Sequence, residues 1–255
     1  MIDRITEQPF RQAHVSGSTL INADCFDVFP FIEDKSIDMI LCDLPYGTTR
    51  NKWDSIIPLE PLWAQYERII KDNGAIVLTA QTPFDKVLGV SNLKLLRYEW
   101  IWHKDNASNF LNARRNPMKI HENVLVFYKK LPNYNPQKRK GFRPYHTNGR
   151  SNKLSSHYMK NFNPKDTGNT DGTRFPISVL NFNAERGLHP TQKPVALFEY
   201  LIKTYTNEGD MVLDNTMGSG TTNLACIKLN RKSIGIEKEK QYYDVAVRRA
   251  SEYCH

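Results

Sequence analysis

A glycine turn in the last fifth of the chain is the first feature whose residues could do chemistry. An apolar run ends at Asp214, Gly218-Ser219-Gly220 follows, and a helix is predicted from Thr221. Glycines at such a junction let the backbone turn tightly, and the first N–H groups of the helix are free to bind a ligand. The turn predicts a site for a small charged or nucleotide-like molecule, although an ordinary strand-to-helix turn has the same pattern.

An acidic residue at the end of the next predicted strand narrows the choice of ligand. The strand from Ser233 to Glu237 ends 17 residues after Gly220. A carboxylate at about that distance can accept hydrogen bonds from both hydroxyls of a ribose. Adenosine is therefore the favoured ligand, and ATP is disfavoured because the turn lacks the Gly-Lys-Ser/Thr of a P-loop.

Asp43-Leu44-Pro45-Tyr46 is the second candidate site. The tetrapeptide follows directly on the apolar run IDMILC. It is therefore expected at the carboxyl end of a parallel strand, which is where α/β sheets place their sites. Taken alone, these four residues are also compatible with a turn that has no chemical role.

Three motifs in one chain resemble a single family. The tetrapeptide is similar to the D-P-P-Y motif of amino-methylating DNA methyltransferases, and the glycine turn resembles their D-P-F-x-G-S-G-T-T cofactor loop. His189 to Pro194 matches their H-P-T-Q-K-P element. The order of catalytic strand, basic insertion and cofactor strand resembles the permuted group called the beta class. The resemblance covers nearly the whole chain outside the insertion and about the first 18 residues.

This resemblance implies the reactants and the residues that bind them. S-adenosylmethionine is expected as the cofactor, the exocyclic amine of a base extruded from double-stranded DNA as the substrate, and no metal. Asp24 falls where the family contacts the adenine ring of the cofactor. The cofactor residues expected from the matching positions are Asp24, Asp43, His189, Thr191, Lys193, Asp214, Gly218, Gly220, Thr221 and Glu237.

The implied catalytic chemistry explains the residue types at 43 to 46. An exocyclic amine is a poor nucleophile because its lone pair is delocalised into the ring. The Asp43 carboxylate and the Leu44 carbonyl would each accept one N–H group of that amine and aim the lone pair at the methyl carbon. Tyr46 would stack on the extruded base, and Pro45 would hold residue 44 extended. This chemistry requires that residues 43–46 and 218–220 share one pocket.

Departures from the family pattern bear on the target base and on the cofactor contacts. Leu44 replaces the first proline, but the catalytic atom there is a carbonyl, which every residue has. Asn215 and Thr216 stand where Pro and Phe are usual, which removes an expected aromatic contact to the cofactor. Asp rather than Ser at position 43 resembles the adenine-N6 members more than the cytosine-N4 members. We therefore expect N6 of adenine as the target.

Other functions remain open at the level of sequence. They are a cytosine-N4 DNA methyltransferase, an RNA amino-methyltransferase, and a DNA-binding relative without catalytic activity. A protein glutamine substrate is disfavoured, because the enzymes that methylate it carry Asn at the position of Asp43. Neither a paired restriction enzyme nor a homodimer can be decided from the residues.

The positive charge is concentrated in one segment. The chain carries a formal net charge of +8, and residues 129–174 contain eleven Lys or Arg against two Asp. Such a local excess is expected of a surface that binds a polyanion. In the resembling enzymes this place holds the segment that recognises DNA, so DNA-contacting residues are expected there: Lys138, Arg139, Lys140, Arg143, Arg150 and Lys153. Lys52 and Trp53, after the catalytic tetrapeptide, are further candidates.

The elements that must position these residues follow from apolar periodicity. Strands are predicted at 37–43, 75–80, 211–214 and 233–237, helices at 58–71, 194–205, 221–229 and 240–253, and an antiparallel edge pair at 97–103 and 123–129. This alternation predicts an α/β fold with a doubly wound, mostly parallel, Rossmann-like sheet, which the resemblance identifies as the class I S-adenosylmethionine-dependent methyltransferase fold. We expect one methyltransferase domain over 1–255, with a core at 19–129 and 186–255 and a loop-rich inserted target-recognition region at 130–185.

Composition excludes several other classes of protein. No run approaches the roughly 18 apolar residues of a membrane span, and the N-terminal residues lack a signal-peptide core, so a cytoplasmic protein is expected. The four cysteines are scattered and have no zinc-ligand spacing, so reduced, mostly buried thiols are expected.

Overall fold

A mixed β-sheet forms the centre of the computed structural model, which describes residues 2–47, 55–145, 169–185 and 192–254. The strands are β1 (Arg11–Val15), β2 (Ser18–Asn22), β3 (Ile37–Asp43), β4 (Ile70–Ala80), β5 (Leu96–Ser108), β6 (Lys119–Phe127), β7 (Val179–Asn181), β8 (Met211–Asp214) and β9 (Lys232–Glu237). The α-helices are α1 (Ile2–Thr6), α2 (Cys25–Val28), α3 (Leu59–Ile69), α4 (Phe84–Ser91), α5 (Val195–Tyr205), α6 (Thr221–Lys228) and α7 (Lys240–Cys254).

The strand order is β1-β2-β9-β8-β3-β4-β6-β5-β7. The five strands from β2 to β4 in that order are mutually parallel, while β6 is antiparallel to both β4 and β5. The predicted α/β fold with a mostly parallel sheet is confirmed, and so is the antiparallel pairing of β5 with β6. The short β7, which pairs in parallel with β5, and the hairpin of β1 with β2 were not predicted.

Both faces of the sheet are covered by helices, because alternate residues of the central strand are apolar on each side. In β3, Ile40 and Cys42 pack into a cluster with α3, whereas Met39 and Leu41 pack into a second cluster with α5 and α6. A strand buried on both faces appears in the sequence as a continuous apolar run. This explains why β3 and β8 were found at their observed bounds.

Residues 136–177 form a second compact unit, separate from the unit of 1–135 and 178–255. Within its described residues, isolated bridges join Arg139 to Arg174 and Tyr145 to Asn169. Aromatic rings pack under its cations: Arg174 lies over Tyr145 and Phe142, and Arg139 over Phe142. The unit is narrower than the predicted insertion at 130–185, since residues 178–185, including β7, belong to the sheet unit.

The cysteines and the grouping of possible metal ligands bear on expectations from composition. Three of the free cysteines, Cys25, Cys42 and Cys226, are buried and Cys254 is exposed, as the apolar neighbours of the first three predict. Across the described ranges, no three His, Cys, Asp or Glu side chains are grouped as metal ligands would be. In the same residues, no helix combines the length and the hydropathy needed to cross a bilayer.

Candidate active site

The two candidate segments meet where the chain reverses its direction of winding. Adjacent strands β3 and β8 are parallel, and the crossover from β3 leads to β4 on one side while that from β8 leads to β9 on the other. Ligands of open α/β sheets bind at the carboxyl ends of the strands at such a switch point. Asp43 and Asp214 are the last residues of these two strands.

One cavity of about 1000 Å³ opens at this switch point. Asp43, Leu44, Pro45 and Tyr46 line it, and so does Gly218 of the glycine turn. A direct contact joins the two segments, since the Thr216 hydroxyl donates to the Asp43 carbonyl at 3.1 Å. The predicted common pocket for residues 43–46 and the glycine turn is confirmed.

The Asp43 carboxylate accepts hydrogen bonds from three side chains. The hydroxyls of Tyr46 and Thr79 donate to its Oδ1 at 2.6 and 2.5 Å, and the Lys193 ammonium donates to its Oδ2 at 2.5 Å. These donors come from the loop after β3, from β4 and from the residue before Pro194, so three parts of the chain hold one carboxylate. Its orientation is therefore strongly restrained.

Lys193 connects Asp43 to a second buried carboxylate. Its ammonium lies 3.4 Å from Glu122 of β6, and Glu122 also accepts a short hydrogen bond from Lys104 of β5. Lys193 and Glu122 are only 5% and 8% exposed. Burial lowers the pKa of Lys193, but the carboxylates of Asp43 and Glu122 outweigh it and the net pKa is raised. Each of these charged groups thus has an opposite charge beside it, which stabilises it where burial limits its contact with water.

Tyr46 contacts Asp43, Phe84 and Lys193 in this structure. Besides donating to Asp43, its ring stacks on Phe84 with centroids 5.4 Å apart, and the Lys193 ammonium lies 5.4 Å from the ring centroid. Burial, with the charges of Asp43 and Glu122 adding to it, raises the pKa of Tyr46 well above its usual value. The phenol is therefore a hydrogen-bond donor to Asp43 at any physiological pH.

The end of β9 carries the acceptor predicted for a ribose. Both oxygens of Glu237 accept backbone N–H bonds, Oε2 from Gly218 at 2.9 Å and Oε1 from Glu239 at 2.8 Å. Burial is the largest influence on the pKa of Glu237 and raises it. Asp24 caps α2 through Phe26 and also lines the cavity.

Asp214 lies deeper beneath the glycine turn. It is 3% exposed and accepts the Thr216 N–H at 3.1 Å and a short hydrogen bond from the Thr222 hydroxyl. Burial raises the pKa of Asp214 to about 7, against the effect of those two donors. These contacts join the glycine turn to the first turn of α6, and Asp214 also lines the cavity.

Two expected cofactor residues, Lys193 and Gly220, differ in their relation to the cavity. Lys193 lines the cavity and donates to Asp43 there. Gly220 is absent from the lining of the cavity among the described residues, and a Cβ there would lie 2.8 Å from the Ala246 Cβ of α7. Gly220 therefore lets α7 pack closely against the turn, whereas Thr221 does line the cavity.

The two unusual residues of the cofactor loop have contacts of their own. Asn215 accepts a hydrogen bond from the Tyr66 hydroxyl at 2.5 Å, and its side chain also contacts the Cys42 thiol at 3.0 Å. Thr216 makes the contact to the Asp43 carbonyl described above. Both side chains thus connect the cofactor loop to β3 or α3 by hydrogen bonds, which the usual Pro and Phe could not make.

The predicted DNA-contacting residues are described only in part. In the unit of 136–177, Lys138 and Lys140 are exposed, Lys138 lies 3.8 Å from Asp171, and Arg139 donates to the Phe175 carbonyl. The exposed Arg143 offers its carbonyl to Arg174. Residues Lys52, Trp53, Arg150, Lys153, His189 and Thr191 lie outside the described residues.

Sequence reasoning missed several polar residues of the cavity and of the Asp43 network. They are Thr79, Lys104, Glu122 and Gln192. Glu122 directly precedes the apolar run NVLVF, which is typical of a buried strand. Carboxylates are almost never buried unless they are paired, so an acidic residue at this position indicates a charged partner nearby. Gln192 lines the cavity with a buried Oε1 that has no hydrogen-bond partner among the described residues.

Comparison with known proteins gives one consistent result. Residues 37–248 match the family N6_N4_Mtase, described as DNA methylase. A curated relative, Type II methyltransferase M2.MboI of Moraxella bovis, is 27% identical over 96% of this chain and 92% of its own length. DNA adenine methyltransferase YhdJ of Escherichia coli strain K12 is 28% identical over 94% of this chain and 84% of its own.

A solved structure resembles the whole fold. The crystal structure of the M1.HpyAVI-SAM complex superposes with a TM-score of 0.64 at 28% sequence identity. The match covers 91% of this chain and 99% of that one. The resemblance in fold therefore extends over most of this chain.

Proposed function

Because this chain belongs to the DNA methylase family, we propose that it transfers the methyl group of S-adenosylmethionine to N6 of adenine in double-stranded DNA. Membership of this family makes the chain a DNA amino-methyltransferase. That the methylated base is adenine rather than cytosine is the part that we propose. One observation carries the proposal: the Asp43 carboxylate and the glycine turn line the same cavity at the switch point of the sheet.

The cavity's polar groups fit S-adenosylmethionine. Glu237 at the end of β9 keeps lone pairs for two ribose hydroxyls beyond the two N–H groups it already accepts. A Cβ at Gly218 would meet nothing within 4 Å, so the turn leaves room beside it for a ligand. The Gln192 Oε1, which has no partner among the residues that the structure describes, is an acceptor suited to the cofactor's ammonium group. The neighbour M1.HpyAVI was solved as a SAM complex, which supports this assignment.

Asp43 has a free acceptor site for the base. A carboxylate offers about four lone-pair sites, of which Tyr46 and Thr79 use two on Oδ1 and Lys193 uses one on Oδ2. The remaining site on Oδ2 accepts one N–H of the exocyclic amine, and the Leu44 carbonyl accepts the other. When bound, S-adenosylmethionine supplies a methyl group activated by its sulfonium centre. Asp43 and Leu44 direct the amine's lone pair and stabilise the positive charge that develops on it.

Adenine is favoured over cytosine by the residue at position 43 and by one relative. Asp stands at the first position of the tetrapeptide, and YhdJ is named as a DNA adenine methyltransferase. M2.MboI is named as a type II methyltransferase, which supports a place in a restriction-modification system. The beta-class order of motifs, the target-recognition role of the inserted unit and a cytoplasmic location stay predictions.

The test is to identify the methylated nucleoside. Purified protein is incubated with methyl-tritiated S-adenosylmethionine and, separately, duplex DNA, RNA and an acceptor protein. DNA from the reaction is then digested and its nucleosides are separated. We expect the label in N6-methyldeoxyadenosine. Label in N4-methyldeoxycytidine would overturn the adenine assignment, and label in RNA or protein alone would overturn the DNA assignment.

The Asp43→Ala variant is the matched control for the site. It removes the acceptor for the amine, so we expect transfer to fall by at least about 10²-fold, the lower end of the scale found for removing a preorganised catalytic group. Binding of S-adenosylmethionine, measured by calorimetry, should stay within about tenfold. Unchanged turnover would remove Asp43 from the catalytic assignment, and loss of both transfer and fold would call for Asp43→Asn instead.

A further inference from the structure

The connection between β5 and β6 is a hairpin that projects apolar side chains. Ser108 pairs with Lys119 at the end of the two strands, and a 3-10 turn at Phe110–Asn112 follows Asn109. Phe110 and Leu111 at this turn are 71% and 83% exposed. Large apolar side chains that stay in water at adjacent positions indicate a surface that is covered by a partner.

The exposed tip is ordered by its own hydrogen bonds. Asn109 adopts a left-handed conformation with φ of 70°, and its side-chain carbonyl accepts from Asn112 at 2.7 Å. The Asn112 carbonyl in turn accepts from the N–H groups of Arg115 and Asn116 at 2.8 and 3.0 Å. The turn therefore holds the backbone of Phe110 and Leu111 in one conformation, with both side chains exposed. Binding of a partner would not have to order this backbone.

The tip lies at the rim of the active-site cavity. Ala107, Ser108, Asn109 and Phe110 line the same cavity as Asp43. A base that enters this cavity must pass out of a stacked duplex, at a cost of a few kcal/mol. Apolar side chains inserted into the base stack are a known way to stabilise such a distortion.

The charge of the hairpin suits a polyanion. Residues 106–121 contain Arg114, Arg115 and Lys119 and no acidic residue. Arg114 and Arg115 are exposed, and within the described parts of the chain neither pairs with a carboxylate. Cations with no carboxylate partner beside a pair of exposed apolar side chains match a phosphate backbone next to a base stack.

We propose that this hairpin enters duplex DNA beside the target base, with Phe110 and Leu111 in the space that the extruded base leaves and Arg114 and Arg115 on the flanking phosphates. The proposal rests on the proposed DNA methyltransferase function. It places part of the base-extrusion machinery in the sheet unit, outside the basic unit of 136–177.

The test compares substrates that do and do not require extrusion of a paired base. The double variant F110A/L111A is assayed on a matched duplex and on the same duplex with an abasic site opposite the target base. We expect kcat/KM to fall at least about tenfold on the matched duplex and to recover to within about threefold of the parent on the abasic one, where little pairing must be broken. Val90→Ala, at an exposed apolar position of α4, is the control and should match the parent on both.

A second measurement separates the failure of this proposal from the failure of the function. R114Q/R115Q should lower the slope of log Kd against log salt for a mixed-sequence duplex by about two, as expected for the loss of two phosphate contacts. If the parent transfers methyl groups but F110A/L111A shows equal losses on the two duplexes, or no loss, the wedge is overturned and the function stands. If the parent transfers nothing, the salt slope alone decides: a lower slope supports the hairpin as a DNA contact, and an unchanged slope overturns it. Loss of a concentration-dependent dimer in F110A/L111A without any effect on DNA would assign the tip to a second copy of the chain and overturn the proposal.

Discussion

At the scale of single residues, the charges around Asp43 alternate in sign. Lys104, Glu122, Lys193 and Asp43 follow one another at ion-pair distance. Burying any one of these charges alone would cost several kcal/mol, whereas each one here has an opposite charge beside it. This network, of which Lys193 and Glu122 are buried, holds the Asp43 carboxylate in one orientation because no member can move without leaving a partner unpaired.

Lys193→Met should therefore reduce both stability and transfer. The change leaves Glu122 with Lys104 as its only cation, and removing one partner of a buried pair costs about 3 kcal/mol or more in the free energy of unfolding. Burial raises the pKa of Glu122, but Lys193 and Lys104 outweigh it and the net pKa is lowered. The stability that charged Glu122 contributes is hence present above its usual pKa of 4.5 and is lost as the pH falls through its lower folded-state pKa. The loss in Lys193→Met should be larger at pH 7.5 than near pH 4, measured by urea unfolding at both values.

The double variant K193M/E122Q separates a structural role from a positioning role. Removing Glu122 as well leaves one cation, Lys104, and one carboxylate, Asp43, in this group. The net negative charge left by Lys193→Met is thereby cancelled, so part of the lost stability should return. Transfer should remain low, since Asp43 still lacks the donor to its Oδ2. A double variant that is stable and fully active would show that Lys193 does not position Asp43.

At the scale of elements, the glycine turn between β8 and α6 has two glycines with different tasks. Gly218 and Gly220 have φ values of 52° and 77°, in the left-handed region that favours glycine. The two glycines differ in their surroundings. An added Cβ at Gly220 would meet α7, whereas one at Gly218 would enter open space beside the cavity. The turn is thus constrained by packing on one side and left open for a ligand on the other.

Gly220→Ala and Gly218→Ala should accordingly have different effects. Gly220→Ala combines a left-handed backbone with overlap against Ala246, so we expect about 3 kcal/mol loss in the free energy of unfolding. Gly218→Ala should cost about 1 kcal/mol from its backbone alone. Its methyl group occupies ligand space, however, and should weaken S-adenosylmethionine binding at least about tenfold. Urea unfolding measures the stability of both variants, and calorimetry measures their affinity for S-adenosylmethionine. Equal losses of stability and equal losses of affinity in the two variants would contradict the prediction.

At the scale of the whole molecule, the charge is distributed unevenly. The segment 129–174 carries more positive charge than the entire chain has net, so the remainder is close to neutral. A localised cationic surface attracts DNA through release of condensed counterions, an effect that falls steeply with salt. The proposed function therefore predicts that the basic segment contributes to long-range attraction of DNA and that the sheet unit carries the chemistry.

Charge removal in the second unit tests this division. The variant K138Q/R139Q/K140Q should weaken DNA binding at about 50 mM salt and reduce the salt slope by about three, with little change in S-adenosylmethionine affinity. K35Q/K86Q/K94Q removes the same charge from exposed positions outside that unit and should leave the slope nearly unchanged. Fluorescence anisotropy over a series of salt concentrations makes the measurement. Equal slopes for the two triple variants would contradict a phosphate-binding role for residues 138–140.

The sequence by itself determined the fold class, the central strands and the meeting of two candidate segments. Strands buried on both faces leave a continuous apolar run, and sites of parallel sheets lie at the strand ends, so IDMILCD and the turn after MVLD could be located from local pattern. Predicted helices and central strands agree with the structure to within a few residues. The exception is β4, which begins at Ile70 because an extended stretch with polar residues precedes its apolar run.

Only the tertiary structure decided which charges surround Asp43. Lys193 lies 150 positions away in the chain. Glu122 and Lys104 belong to β6 and β5, and both lie just outside the strand bounds predicted from the sequence, 123–129 and 97–103. The resemblance implied a cofactor role for Lys193, and the tertiary structure adds that its ammonium, in the loop before α5, donates to Asp43. The exposed hairpin tip was missed for the same reason: burial depends on what packs nearby in space, and periodicity reports only what lies nearby in the chain.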